Sequence, residues 1–283
     1  MLKRYSYFLP DITESWFLIG VLAIGGSILG ALVTMLINVI FPGFFGWGEL
    51  ITYPLIFIPP AALIYFSVRS DERISLLKGD SNRVSVKINS PNFGSIGALL
   101  SFIMILPLVF AFNLVTEPLS MWMEVPQFFK DLMLQIQTNK LSSFLAIVIF
   151  APLLEEIFCR GIILRGLLHH TTPAKAIIWS AVMFGVMHLN PWQALPAFLL
   201  GLLMGWIYWR TRSLWIVIFI HFINNGFSYL ITILFPEIPV DFGFADFIPG
   251  NYYYLIYILA LIYTVGVIFY MDKLYGKIIP SQI

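Results

Sequence analysis

Three short stretches carry the residues whose types and spacing could do chemistry. APLLEEIFCRG (151–161) sets Glu155, Glu156 and Arg160 in the middle of an oily run. FGVMH (184–188) places Phe184 and His188 on one helical face, and HFINN (221–225) does the same for His221 and Asn225. Charges inside a bilayer cost at least a few kcal/mol each, so they need partners or a task. Glu156 and Arg160 are four apart with the acid N-terminal, the spacing of a helical ion pair. Glu155 is turned about 100° away and is left for other work. One carboxylate, two imidazoles and an amide supply a base for water and donors for a developing oxyanion, which is what amide hydrolysis requires.

The elements that must position these groups are membrane helices. Of the 283 residues, 59% are hydrophobic and only 11% charged, with a mean hydropathy of +0.88. A soluble domain carries about a quarter charged residues. The net charge of +1 gives no electrostatic case for nucleic acid, and the one cysteine, Cys159, cannot form an internal disulfide. Aromatic residues, 17% of the chain, fit belts at a membrane interface. A spanning helix needs about 20 mostly apolar residues. Eight segments meet this: 16–40, 51–68, 95–115, 141–167, 173–190, 192–209, 213–234 and 252–271. The first is too long for a signal peptide. The second, with Pro54, Pro59 and Pro60, should be kinked or broken. Pro152 should bend the fourth.

The expected fold class is therefore all-α, a polytopic membrane bundle of about eight transmembrane helices with both termini cytoplasmic. The orientation rests on charge. Lys3, Arg4, Arg69, Arg73, Lys78, Arg83, Lys87, Arg165, Lys175, Arg210, Arg212, Lys273 and Lys277 fall on one side of an eight-span chain. The other side has Lys130 and Lys140, with Glu237, Asp241 and Asp246. Residues 71–94 read as a polar cytoplasmic loop. In 116–140, Phe128, Leu132 and Ile136, with Phe129 and Met133, have the spacing of an interfacial amphipathic helix. Gly201 and Gly205 read as a helix-packing face. Cys159 reads as a small apolar filler, and His169 and His170 as solvated.

Depth poses a problem. His221 lies about 12 Å from the start of its helix and His188 about 22 Å along the fifth. They can share a site if the fifth helix begins well outside the cytoplasmic face, or if the hairpin between the fifth and sixth is sunk below the outer surface.

Taken in order on successive segments, EEIFCR fits EExxxR, FGVMH fits FxxxH and HFINN fits HxxxN. The chain thereby resembles the CPBP family of intramembrane proteases, also called the Abi or CAAX prenyl protease type II family. NPWQALPAFLLGLLMGWIYWRTRSLW (190–215) is similar to bacterial members. The resemblance covers roughly residues 140–230. It implies a core at 141–234, between an N-terminal region (1–140) and an outer loop with the last helix (235–283). It implies that Glu155 and His188 activate water and that His221 and Asn225 hold the oxyanion. Glu156 and Arg160 would steady the helix, with Glu156 open to a share in catalysis and Phe184 packed beneath His188. The family has been described both as metal-dependent and as metal-free. Glu155, His188 and His221 are the candidate ligands for a divalent ion such as zinc, although no HExxH is present. The expected substrate is a membrane-embedded or membrane-anchored peptide or protein, in a bacterial plasma membrane. A non-catalytic immunity or scaffold protein, and a proton-coupled transporter, are the alternatives.

Overall fold

The computed structural model describes residues 5–78, 84–136, 139–235, 238–239 and 242–275. Lys3, Arg4, Arg83, Glu237, Asp241 and Lys277, used above for orientation, lie outside them. Among the described residues the regular elements are helices. The long ones are α1 (Ile12–Ile40), α2 (Gly48–Lys78), α3 (Ala98–Leu119), α5 (Lys140–His170), α7 (Pro191–Thr211), α8 (Leu214–Leu234) and α9 (Gly250–Leu274). All seven are long and apolar enough to cross a bilayer. Between them lie the amphipathic α4 (Gln127–Ile136) and the short α6 (Pro173–Val186). One buried cluster joins residues from Phe8 to Tyr275.

Local chemistry sets the breaks. Asp11 caps α1 by accepting from the Glu14 N–H at 2.8 Å, and Glu14 returns the bond to the Asp11 N–H at 3.0 Å. The break expected in α2 falls between Leu55 and Ile58. Pro59 and Pro60 have no N–H to give the carbonyls of Leu55 and Ile56. Gly26 of α1 sits against that break, where a Cβ would come within 2.6 Å of the Ile56 carbonyl oxygen.

The fifth apolar segment departs from expectation. α6 has 14 residues, about 21 Å, short of the roughly 30 Å of hydrocarbon. It stops because the chain turns through Leu189, at φ 58°, into Asn190. Asn190 caps α7 by accepting from the Gln193 N–H at 2.9 Å, with Pro191 in the first turn. The α6–α7 hairpin is close-packed through glycines. A Cβ on Gly185 would meet the Ala194 carbonyl at 2.7 Å, one on Gly201 would meet Ala181 at 3.2 Å, and one on Gly205 would meet Ile177 at 3.1 Å. The packing role read for Gly201 and Gly205 is what the structure contains.

The depth problem is resolved at the opposite end of α7. Glu156 lies 14 residues from the His170 end of α5, and His221 only eight from Ser213. Their side chains nonetheless touch at 2.9 Å. α8 therefore starts inside the end of α5. Its preceding turn, Thr211–Ser213, is buried. Segment 84–97 covers it. Ser90 N–H donates to the Arg212 carbonyl at 3.0 Å and Asn92 N–H to that of Thr211 at 2.8 Å. Asn89 Oδ1 accepts from the Leu214 N–H at 2.8 Å, and the Tyr208 hydroxyl donates to the Ile88 carbonyl at 2.7 Å. Arg165 staples this cover to α5, donating to the carbonyls of Val86, Tyr5 and Phe8.

One expectation is corrected here. The stretch 71–94 is not one polar loop: α2 continues to Lys78, and 84–97 is a packed cover. Arg165 and Arg212 are buried. His169 and His170 are exposed, as read, and the His170 ring Nε2 lies 2.9 Å from the Leu9 carbonyl.

Gly185→Ala tests the hairpin. A methyl group forced against the Ala194 carbonyl should cost about 1–3 kcal/mol. The thermal midpoint of the detergent-purified protein, followed by circular dichroism, should fall. Gly250→Ala, whose Cβ would meet nothing within 4 Å, is the control. Equal midpoints for the two variants would refute the close-packing account.

Candidate active site

Helix α5 is not a regular α-helix around its charges. Over Phe144–Phe150 and Ile157–Leu164 its turns widen to the π form, bracketing Glu155 and Glu156. Such turns inside helices are frequent at functional sites. The first has a visible consequence. The Ala151 N–H bonds back to the Ala146 carbonyl, five residues away. The next donor in that register is Pro152, which has none, so the Ile147 carbonyl loses its helical partner. Asn225 Nδ2 donates to that carbonyl at 3.0 Å. Its Oδ1 accepts from Asn224 Nδ2 at 3.2 Å, and Asn224 Oδ1 accepts from Asn113 Nδ2 of α3 at 2.9 Å. The amide predicted to face an oxyanion thus also closes a gap in α5.

Glu156 is the centre of the buried charge. It is wholly inaccessible, and its Oε1 accepts from Arg160 Nη1 at 2.8 Å and pairs with His221 Nδ1 at 2.9 Å. Arg160, equally buried, donates through Nη2 to the Gly201 carbonyl at 3.2 Å. Its guanidinium lies 4.4 Å from the ring centre of Phe184. The Phe184 ring meets His188 edge-on at 5.3 Å and His221 at 5.5 Å. His188 Nδ1 lies 2.8 Å from the Phe184 carbonyl. A ring nitrogen facing a carbonyl or carboxylate must carry the hydrogen. These contacts therefore assign protons to Nδ1 of both histidines and leave His188 with an accepting Nε2.

Glu155 stands apart from this network, as its position on the helix requires. It is 6% exposed, and its Oε1 accepts from the Tyr53 hydroxyl of α2. Its Oε2 is buried with no hydrogen-bond partner, as is Oε2 of Glu156. Among the described residues Glu155 makes no direct bond to His188 or His221, and Asn225 makes none to His221. The structure therefore brings together Glu156, Arg160, His188, His221 and Phe184, and sets Glu155 and Asn225 beside them on α5 and α8. Cys159 is fully buried, its Sγ 3.5 Å from Met187 Sδ, as a filler would be.

Glu155, His188 and His221 do not fit a metal centre in this arrangement. Among the described residues no three of His, Cys, Asp and Glu are grouped closely enough to hold an ion.

Sequence reasoning missed Tyr53, the Gly201 carbonyl and the pair Asn113 and Asn224. A tyrosine in an apolar run carries no penalty that would mark it, and a backbone acceptor carries no sequence signal. Asn113 inside an otherwise apolar span was the one visible cue.

Residues 137–227 match a family model described as type II CAAX prenyl endopeptidase Rce1-like. The chain is also 35% identical over 79 residues to a Bacillus subtilis (strain 168) protein named "Putative membrane peptidase YdiL". That alignment takes in 28% of this chain and 32% of the relative, so it spans about a third of the relative's length. No solved structure matches. Glu155, Glu156, Arg160, Phe184, His188, His221 and Asn225 all lie within the family match, and Tyr53 lies outside it. The likeness to the type II CAAX prenyl endopeptidases read from the three motifs holds across residues 137–227 of an integral, multi-pass membrane protein.

Proposed function

We propose that the chain is an intramembrane endopeptidase that cuts membrane-embedded or membrane-anchored peptides and proteins. The observation that carries this reading is the buried carboxylate of Glu155, with one oxygen held by Tyr53 and the other without a partner, next in the chain to Glu156, whose partner His221 shares the Phe184 ring with His188. In the reading, Glu155 takes a proton from water, with His188 Nε2 as a second acceptor that orients it. The water oxygen attacks the scissile carbonyl carbon. His221 donates through Nε2 to the resulting oxyanion, and Glu156 balances the charge on the ring. The remaining Nδ2 hydrogen of Asn225 is a further donor. Arg160 holds Glu156 in place and does not touch substrate. With this site in a bacterial member, a membrane-anchored peptide or protein is a better substrate than a prenylated one.

The first test compares peptide termini across the membrane proteome of cells expressing wild type or Glu155→Gln. Termini that appear only with wild type name the substrate. Initial rates on a peptide spanning such a terminus should then fall about 100- to 10,000-fold in Glu155→Gln. Matching terminus profiles, with the variant folded, would instead favour a binding or transport role.

Arg160→Leu probes the supporting pair. It leaves Glu156 buried without its cation, a change that costs about 3–5 kcal/mol. The unfolding midpoint in a denaturing-detergent titration should drop, and hydrolysis with it. A variant with the wild-type midpoint would show that Arg160 does not hold the fold at this point.

A further inference from the structure

We infer that Tyr53, from outside the segment that matches the family, is a positioning residue for the general base. Its hydroxyl holds Oε1 of Glu155 and leaves Oε2 as the oxygen that receives the proton of the attacking water. The inference rests on the endopeptidase reading.

The geometry argues it in three steps. A carboxylate with two free oxygens can turn about its last bond and offer either. Tyr53 donates to Oε1, which fixes the carboxylate plane and lowers the electron density of that oxygen. Oε2 is buried and has no partner within the chain, so it remains the stronger acceptor and still lacks the bond that a buried oxygen requires. Tyr53 is itself held in place. It lies one residue before Pro54 and three before the break in α2, and its ring packs on Phe57 at 5.9 Å, which in turn meets Phe158 of α5 at 6.0 Å. The broken helix is thus tied to the base-bearing helix by an aromatic contact as well as by the hydroxyl.

The proton inventory follows. One water proton moves to Glu155 Oε2 while the water oxygen bonds to the scissile carbon, and the carbonyl π pair moves to the oxygen. As the C–N bond breaks, the proton held on Oε2 passes to the departing nitrogen. Glu155 returns to the carboxylate, still held at Oε1.

Tyr53→Phe removes one oxygen atom and keeps the ring on Phe57. Two measurements use the full-length protein in detergent. The first takes infrared difference spectra between wild type and Glu155→Gln, and repeats the pair in the Tyr53→Phe background, isolating the Glu155 carboxylate band each time. The second follows a quenched-fluorescent peptide spanning a terminus found in the proteome comparison. The band should shift when the hydroxyl is removed. kcat should fall about 10- to 100-fold, the loss expected for one hydrogen bond to a charged group, with KM and the melting temperature within about twofold and a few degrees of wild type. An unchanged band, or wild-type kcat in Tyr53→Phe, overturns the assignment while the endopeptidase reading stands. A proteome comparison with no wild-type-dependent terminus defeats that reading, and the assignment with it.

Discussion

A carboxylate buried where water does not reach must be neutralised locally, and the arrangement of α5 to α8 answers that requirement at Glu156. Its Oε1 carries two bonds, from Arg160 and from His221. Each partner in turn binds a further element. Arg160 reaches the Gly201 carbonyl, so α7 must come close to α5, while the bare side of Gly201 packs on Ala181 and Phe184 of α6. His221 reaches Glu156 only because α8 starts well inside the end of α5. That inward start buries a polar turn, which segment 84–97 then covers with hydrogen bonds of its own. The chain of requirements runs from one charge to the shape of the whole lower half of the bundle. A buried pair of this kind is weak evidence for net stability, since the same volume filled with hydrocarbon is often as stable. What it provides is a unique register among three helices.

The same logic explains the irregular backbone of α5. Within a bilayer every backbone group must find a partner inside the protein. Pro152 and the adjoining π-turn leave the Ile147 carbonyl without one, and Asn225 supplies it from α8. The amide is thus tied to the defect in α5, and the defect sits three residues before Glu155. Widened turns on both sides of the glutamates change which faces of α5 meet its neighbours. Between them, the offset of about 100° between adjacent helical residues lets Glu156 look toward α8 while Glu155 looks toward α2.

The charged core was legible in the sequence because its cost is large. Glu156, Arg160, His188 and His221 stand out in any apolar run, and helical spacing alone pairs Glu156 with Arg160 and Phe184 with His188. The spans were legible for the same reason, as was the broken α2, where consecutive prolines leave no alternative. The shortness of α6 was not. Residues 173–190 are apolar enough to span, and what ends the helix is a left-handed turn at Leu189 followed by the Asn190 cap, a local geometry that hydropathy averages away. Segment 84–97 was misread because most of its hydrogen bonds, that of Asn89 apart, are made by backbone groups, which every residue carries. Tyr53 was invisible because a phenol is at home in a membrane and draws no attention until its partner is seen.

Tyr53 also bears on how much of the site the matched segment contains. Residues 137–227 hold every charged and imidazole group of the cluster, yet they leave Glu155 without a donor on either oxygen. The donor comes from α2, before the match begins. A buried carboxylate with no donor on either oxygen would be poorly placed, since nothing would orient it and its lost hydration would go uncompensated. In the proposed reaction the N-terminal helices therefore have a part: α1 packs against the break in α2 through Gly26, and α2 supplies the hydrogen bond that the matched segment does not provide for Glu155.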